Sequence, residues 1–198
     1  MRLKSLPGAE TIPLVGGELV YLPNYVAEPD SLKTALLAVP GWYQPQLQVF
    51  GKYHATPRRV HFVGDAGVQY RYSGHLHRAE GWPPGLATLR DRLEEDCGQR
   101  FNCALLNHYR DGNDTMGYHS DDETALGDNP TVASVSLGAE RDFALKPKRG
   151  GRAQTLPLAS GSLLLMLPPI QRYWRHALPK RAGVGKERVN ITFRRIID

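Results

Sequence analysis

Four side chains that can bind a metal ion or offset positive charge lie close together in the middle of this chain. They are one histidine and three acids in the segment GYHSDDE, residues 117–123. Side chains two apart on an extended chain point the same way, so His119 and Asp121 are expected to converge. A pair of this kind also arises by chance in a solvated turn, and a metal site needs a third ligand.

His176, in the predicted strand YWRHAL, is the best candidate for the third ligand. Two histidines and one carboxylate leave positions open on a metal for a co-substrate and O2, which is typical of a non-haem Fe(II) centre. For His176 alone, a hydrogen-bonded structural histidine is the alternative. Other histidines compete for the role, and spacing does not choose among them. They lie at positions 54, 61, 75, 77 and 108.

The segment RVNITFR, residues 188–194, alternates polar and apolar side chains. This period of two predicts a strand with two different faces. The polar face carries Arg188, Asn190, Thr192 and Arg194, and the apolar face carries Val189, Ile191 and Phe193. If the polar face lines an interior, its guanidiniums need anionic partners, because an unpaired buried charge is costly. A dicarboxylate such as 2-oxoglutarate would satisfy both; an edge strand with exposed arginines is the alternative.

Asn107 and Tyr109, in LLNHY, share one face of another predicted strand shortly before His119. Both side chains can donate hydrogen bonds, so they could bind the same dicarboxylate. A structural role is the alternative for each of them alone.

The elements that must position these side chains change character near residue 100. The N-terminal part predicts a short helix over DSLKTALLAV with Ser31 as N-cap, a second helix over LATLRDRLEED, and hairpins between them. Residues 1–30, rich in Pro and Gly, predict irregular structure. From Phe101 onward, short strands separated by Gly, Pro or Asp indicate a sandwich or jelly roll. We expect a single, mostly β domain over residues 1–198, with helices and hairpins in 1–100 and a β core in 101–198.

The composition is that of a basic globular chain. Hydrophobic residues make up 41% and the formal net charge is +5, with a pI of about 9.3. Basic residues cluster near residue 58, in residues 146–152 and in residues 180–188. These clusters predict contacts with a phosphate backbone, and a solvated surface is the alternative. No membrane span or signal peptide is recognised, and two cysteines without metal-site partners favour the cytoplasm.

Several longer motifs contain the residues described above. They are NHYRDGNDTMGYHSDDE, ASVSLGAERDFAL, GSLLLM followed by YWRHALPK, and RVNITFR. Together they resemble the AlkB family of Fe(II)- and 2-oxoglutarate-dependent nucleic-acid dealkylases. Their order and spacing match over residues 101–195, and VFGKYHATPRRVHFVGDAGVQYRYSG extends the similarity upstream. The chain most resembles the homologues that repair double-stranded DNA, whereas residues 1–30 show no match. The resemblance implies a double-stranded β-helix (jelly-roll) core with flanking helices and an N-terminal nucleotide-recognition lid.

The resemblance also implies roles for the residues above. The Fe(II) ligands would be His119, Asp121 and His176. The 2-oxoglutarate site would comprise Asn107, Tyr109, Arg188 and Arg194, with Asn190 and Thr192 as supports. Which arginine meets which carboxylate stays open. The family reaction consumes O2 and 2-oxoglutarate and removes the methyl group of N1-methyladenine or N3-methylcytosine as formaldehyde.

Two pairs of residues match family positions near the substrate base. Tyr70 and Tyr72 share a strand face, and one or both could stack on a flipped base. Asp122, assisted by Glu123, would favour an alkylated base because that base is cationic. Two exposed acids in a turn are the alternative.

The segment QVFGK resembles a hairpin tip that contacts DNA. Within Val49-Phe50-Gly51, the phenylalanine could wedge into the gap that a flipped base leaves in a duplex. Arg58 would contact phosphates. We therefore expect a monomer that acts on DNA, with a duplex favoured over a single strand. Single-stranded DNA or RNA are alternative substrates, and a non-catalytic jelly-roll binding module is the alternative class.

Overall fold

The computed structural model describes residues 2–49, 51–72 and 75–197. These residues form three α-helices and fifteen strands. The helices are α1 (Pro29–Ala38), α2 (Pro84–Cys97) and α3 (Ile170–Tyr173). The strands are β1 (Glu10–Leu14), β2 (Gly17–Leu22), β3 (Gln46–Val49), β4 (Lys52–Ala55), β5 (Arg59–Gly64), β6 (Gln69–Tyr72), β7 (His75–Arg78), β8 (Cys103–Tyr109), β9 (Met116–His119), β10 (Val132–Gly138), β11 (Arg141–Pro147), β12 (Gln154–Leu158), β13 (Leu163–Met166), β14 (Trp174–Leu178) and β15 (Arg188–Arg194).

Two antiparallel sheets pack face to face. The larger has the order β1-β2-β13-β10-β15-β8-β5, and the smaller has the order β12-β11-β14-β9. Val132 and Leu164 of the larger sheet share a buried cluster with Phe143 and Leu158 of the smaller one. From β8 to β15 the chain passes back and forth between the sheets, which is the path of a double-stranded β-helix. The predicted jelly roll is therefore confirmed.

Strand β15 has the two faces that its sequence predicts. It lies between β10 and β8 inside the larger sheet. Val189, Ile191 and Phe193 are fully buried in a core that includes leucines of α2. Arg188 and Arg194 instead line a cavity between the two sheets. The central position of the strand excludes the alternative of an edge strand with exposed arginines.

The two predicted helices form, with one correction at the start of the first. Leu86, Leu89 and Leu93 lie on the buried face of α2, as predicted. Ser31 is not the N-cap of α1, because that helix already begins at Pro29. Proline suits the first turn of a helix, where its missing N–H would have no partner in any case.

The prediction that residues 1–30 are irregular is wrong. They contain the hairpin β1–β2. Strand β2 pairs with β13 and extends the larger sheet. Strand β2 also pairs with its neighbour β1. The glycine pair Gly16-Gly17 between two apolar runs was a local hairpin signal that the sequence prediction missed. Pro13 is tolerated because β1 is the edge strand.

Two separate hairpins, β3–β4 and β6–β7, lie in the region predicted to form the lid. Val49 pairs with Lys52 at the end of the first hairpin. Gly51 has a φ of +78°, a left-handed conformation that favours glycine. Phe50 lies outside the described residues. No helix in the described parts of the chain combines the length and the apolar composition that crossing a membrane requires.

Candidate active site

His119, Asp121 and His176 meet at one edge of the smaller sheet. Strands β9 and β14 pair with His119 opposite His176, and the two ring centroids are 4.2 Å apart. Oδ2 of Asp121 lies 3.5 Å from Nε2 of His176. One ligand atom from each residue lies within 4.8 Å of the other two. The pairing of distant strands thus brings the three predicted ligands together.

The protonation and hydrogen bonding of this cluster fit a metal ion. Nδ1 of His119 donates to the carbonyl oxygen of Gly117 at 3.0 Å, so its Nε2 keeps a lone pair for a metal. Burial lowers the pKa of His176 to about 3, which leaves the ring neutral at physiological pH. Burial alone would raise the pKa of Asp121, but Arg194 and both histidines hold it at about 2. Among the described residues, the fully buried Oδ2 of Asp121 has no hydrogen-bond partner.

The described competing histidines lie elsewhere. His61 and His108 both pack against Trp42, and Nδ1 of His77 is 2.6 Å from the hydroxyl of Tyr43. His54 is exposed on β4, and the side chain of His75 is outside the described set. Spacing along the chain could not choose among them, because the choice depends on strand pairing.

Arg194 engages Asp121 and leaves one carboxylate oxygen free. Its Nε and Nη2 both donate to Oδ1, at 3.0 Å and 2.5 Å. Burial acts to lower the pKa of Arg194, but the adjacent Asp121 raises it above its usual range. The ion pair orients the carboxylate so that Oδ2 points toward the histidines.

Arg188, at the other end of the cavity, is a buried cation for which the described residues supply no anion. Its Nη2 donates to Oγ of Ser136 at 2.8 Å, and its guanidinium lies 5.5 Å from the ring centre of Tyr109. Its Nε has no partner and it forms no ion pair within the described ranges. Burial lowers the pKa of Arg188 to about 10, so it stays protonated at neutral pH. The site is built to receive an anion.

Asn190 and Thr192 form a hydrogen-bonded network between the two arginines. Nδ2 of Asn190 donates to Oγ of Ser134 at 2.8 Å and to the carbonyl of Val135 at 3.0 Å. The hydroxyl of Thr192 donates to Oδ1 of Asn190 at 2.9 Å. The two side chains therefore hold the polar face of β15 in place. The serines in VASVSLG, which also alternate, were a signal that the sequence reading missed.

Asn107 faces the same cavity, and its partner corrects one prediction. Its Oδ1 accepts a hydrogen bond from Nε of Arg58 at 2.9 Å. Arg58 is only 6% exposed, so the prediction that it contacts DNA phosphates is wrong for this structure. It precedes β5, and the pairing of β5 with β8 carries its side chain over Asn107. A basic dipeptide in a sequence does not reveal such a contact.

Tyr70 is buried rather than open to a base. The ring is 1% exposed, stacks on Phe62 with centroids 5.9 Å apart, and lies 5.8 Å from the guanidinium of Arg194. This packing corrects the prediction that Tyr70 offers a free ring face for stacking. The side chain of Tyr72 is outside the described set, so its stacking on a base stays a prediction. The side chain of Val49 lies outside it as well.

The two acids after Asp121 have different environments. Asp122 is exposed and accepts a hydrogen bond from Nζ of Lys148 at 2.8 Å. Glu123 is half-buried, and burial raises the pKa of its carboxyl group. Only Asp122 is thus an accessible carboxylate beside the metal ligands.

Two further residues, one at each end of the cavity, were not predicted. The backbone N–H of Asp121 donates to Oε1 of Gln171 at 3.0 Å. Arg141 is buried next to Tyr109 and Arg188. No sequence pattern predicts either contact, because each one joins segments that are far apart in the chain.

Comparisons with known proteins agree with this geometry. The family model described as the 2OG-Fe(II) oxygenase superfamily matches residues 18–194. The chain is 45% identical over 160 residues to the DNA oxidative demethylase ALKBH2 of Mus musculus, an alignment that covers 77% of this chain and 67% of that protein. It is 44% identical over 160 residues to ALKBH2 of Homo sapiens, covering 77% of this chain and 61% of that protein. It is also 40% identical over 153 residues to the alpha-ketoglutarate-dependent dioxygenase alkB homolog 3 of Homo sapiens, covering 72% of this chain and 53% of that protein.

Solved structures show the same fold. OsALKBH1 superposes with a TM-score of 0.66 at 16% identity, covering 94% of this chain and all 100% of that one. An oxidoreductase of the 2OG-Fe(II) oxygenase family from Burkholderia pseudomallei superposes with a TM-score of 0.59 at 19% identity, covering 91% of this chain and 84% of that one. The matching family model, these relatives and the His-Asp-His cluster together show that the chain belongs to the AlkB family of the Fe(II)- and 2-oxoglutarate-dependent oxygenases.

Proposed function

We propose that this protein is a DNA oxidative demethylase that repairs N1-methyladenine and N3-methylcytosine, with a preference for duplex DNA. The observation that carries the proposal is a single cavity whose two ends carry different functional groups. His119 and His176 line one end, with Asp121 next to them, and the buried Arg188, which forms no ion pair with the described residues, lines the other. The DNA substrate follows from relatives at 44% and 45% identity that are named DNA oxidative demethylases.

The charges suggest which arginine meets which carboxylate. Arg194 already has Asp121 as its anion, beside the metal ligands. Arg188 has none in the described residues, and it lies six positions earlier on the same strand, about 20 Å away along the backbone. The distal carboxylate of 2-oxoglutarate would therefore bind Arg188 and Tyr109, while the 2-oxo acid end faces the metal.

The chain's own residues would bind and orient the reactants. His119, Asp121 and His176 would hold Fe(II), and Arg194 would keep Oδ2 of Asp121 directed at it. When bound, Fe(II), 2-oxoglutarate and O2 supply the oxidation of the N-methyl group, which leaves as formaldehyde while 2-oxoglutarate becomes succinate and CO2. The apolar wall of the cavity, including Phe143, would limit access of water.

Exposed basic residues near the same edge would contact DNA phosphates. Lys148 reaches Asp122 beside the metal ligands. Arg149 and Arg152 lie in the loop between β11 and β12, and both are exposed. Because the substrate contact is electrostatic, affinity for DNA should fall steeply with salt.

A first prediction concerns recognition of the cationic base by Asp122. Replacement of Asp122 by Asn should lower turnover of N1-methyladenine about tenfold relative to a neutral etheno adduct in the same duplex, because only the methylated base carries a positive charge. Lys148→Gln should shift this ratio the opposite way, because it frees the carboxylate of Asp122 from its ion pair. Both ratios are measured by repaired-base release. Equal ratios in all three proteins would remove Asp122 from base recognition.

A second prediction tests the duplex preference through Phe50. Phe50→Ala should lower repair of N1-methyladenine in a duplex at least about tenfold and leave repair of the same single strand within about twofold, because only a duplex has a stack to wedge. Formaldehyde release with Fe(II) and 2-oxoglutarate measures both. Tyr53→Ala is the matched control, since Tyr53 is 70% exposed on the same hairpin.

The outcomes of this experiment separate the alternatives. Equal activity on both strands that the substitution leaves intact would assign Phe50 a structural role and favour a single-stranded substrate. Failure to turn over either DNA, by a protein that binds metal and 2-oxoglutarate, would point to RNA.

A further inference from the structure

Arg141 is a second buried guanidinium next to the end of the cavity that holds Arg188. It begins β11, and it alternates with Phe143 and Leu145, which face the interior between the sheets. Arg188 of β15 pairs with Gly138, the last residue of β10. Gly138 lies three residues before Arg141 in the chain. Arg141 is only 2% exposed. The fold therefore brings two buried cations close enough for the charge of Arg141 to act on Arg188.

The guanidinium of Arg141 is held by the main chain rather than by acids. It donates to the carbonyl oxygens of Asp111 at 3.0 Å, Asp114 at 3.0 Å and Pro179 at 2.7 Å. The first two carbonyl groups belong to the loop after β8, which ends at Tyr109. The third belongs to the loop after β14, which ends at Leu178. Arg141 thus ties together the two loops that close this end of the cavity.

The nearby carboxylates are already engaged. Asp114 accepts two hydrogen bonds from the side chain of Arg110, at 2.7 Å and 2.8 Å, and Asp111 accepts one from the backbone of Asn113 at 2.8 Å. In the described part of the chain neither Arg141 nor Arg188 forms an ion pair, and Nε of each lacks a partner. Burial is the main reason that the pKa of Arg188 falls to about 10, and repulsion by Arg141 adds to it. An anion bound here would relieve that repulsion.

We propose that Arg141 is a positioning residue of the co-substrate pocket, whose charge, added to that of Arg188, makes the pocket select a 2-oxo acid with a distal carboxylate. The proposal rests on the use of 2-oxoglutarate, and it is independent of the DNA substrate. Arg141 acts through the field at the pocket and through the loops beside Tyr109.

The test compares two ligands that differ only at the distal end. 2-Oxoglutarate and 2-oxopentanoate share the 2-oxo acid group, but the second has a methyl group in place of the distal carboxylate. Their dissociation constants are measured by calorimetry with the Mn(II)-loaded protein, without DNA or turnover. Arg141→Gln should weaken 2-oxoglutarate about tenfold and leave 2-oxopentanoate within about twofold, because only the first carries the charge that Arg141 attracts.

Two further variants separate charge from structure. Arg141→Lys keeps the charge and should retain the selectivity within about threefold, even if its melting temperature falls. Lys180→Gln, the matched control, removes an exposed cation next to Pro179 and should leave both constants within about twofold.

Three results would overturn the proposal. The first is unchanged affinity for 2-oxoglutarate in Arg141→Gln. The second is an equal loss for both ligands, which would indicate a structural role alone. The third concerns Arg141→Lys, which is the deciding variant if Arg141→Gln does not fold. A folded Arg141→Lys protein that no longer prefers 2-oxoglutarate over 2-oxopentanoate would refute the role of charge.

Discussion

Replacement of Asp121 by Asn is expected to weaken metal binding at least a hundredfold and to abolish measurable turnover. The substitution keeps the shape of the side chain but removes the charge that Oδ2 offers to the metal and that Oδ1 offers to Arg194. Removing one partner of a buried ion pair costs about 3–5 kcal/mol, and roughly 1.4 kcal/mol corresponds to a tenfold change in binding. Calorimetric titration with Mn(II) measures the binding, and formaldehyde release measures turnover.

The control for this variant is Asp128→Asn, an exposed acid seven residues further along. It should bind metal as the wild type does. The Asp121 variant should also unfold at a lower urea concentration, because Arg194 is left buried without an anion. Metal binding is therefore measured where circular dichroism shows both variants folded. Near-normal metal affinity in folded Asp121→Asn would exclude Asp121 as a ligand.

Replacement of Arg188 by Met is expected to change function and stability in opposite directions. Affinity for 2-oxoglutarate should fall at least about a hundredfold, because the distal carboxylate loses its charge-assisted partner. The free energy of unfolding of the protein without co-substrate should stay equal or rise by about 1 kcal/mol or more, because an unpaired buried cation is replaced by an apolar side chain of similar length. Calorimetry and urea unfolding measure the two effects.

The opposite signs distinguish a binding residue from a structural one. If Arg188 mainly supported the fold through Ser136, its loss would destabilise the protein and affect ligand affinity only indirectly. Arg175→Met, which removes an exposed cation from β14, should change neither quantity appreciably. A destabilised Arg188→Met protein with normal affinity for 2-oxoglutarate would contradict the assignment.

The sequence determined those features that repeat along a single element. Alternation in RVNITFR predicts both faces of β15, and the leucine spacing predicts the buried face of α2. These predictions hold because period two and period 3.6 follow from backbone geometry alone. The family motifs then supplied ligand roles for His119 and Asp121, and for His176, which spacing alone left in competition with five other histidines.

Tertiary structure decided every feature that depends on which segments meet. Pairing of β9 with β14 brings His176, rather than another histidine, next to His119. Pairing of β5 with β8 buries Arg58, which the sequence predicted to contact DNA phosphates. Contacts with Phe62 and Arg194 bury the ring of Tyr70. A side chain's charge and type are properties of the sequence, but its burial and its partner depend on strands far apart in the chain. For that reason the sequence could name the chemistry of the site. Only the fold showed that Arg194 pairs with Asp121, whereas Arg188 finds no anion in the described part of the chain.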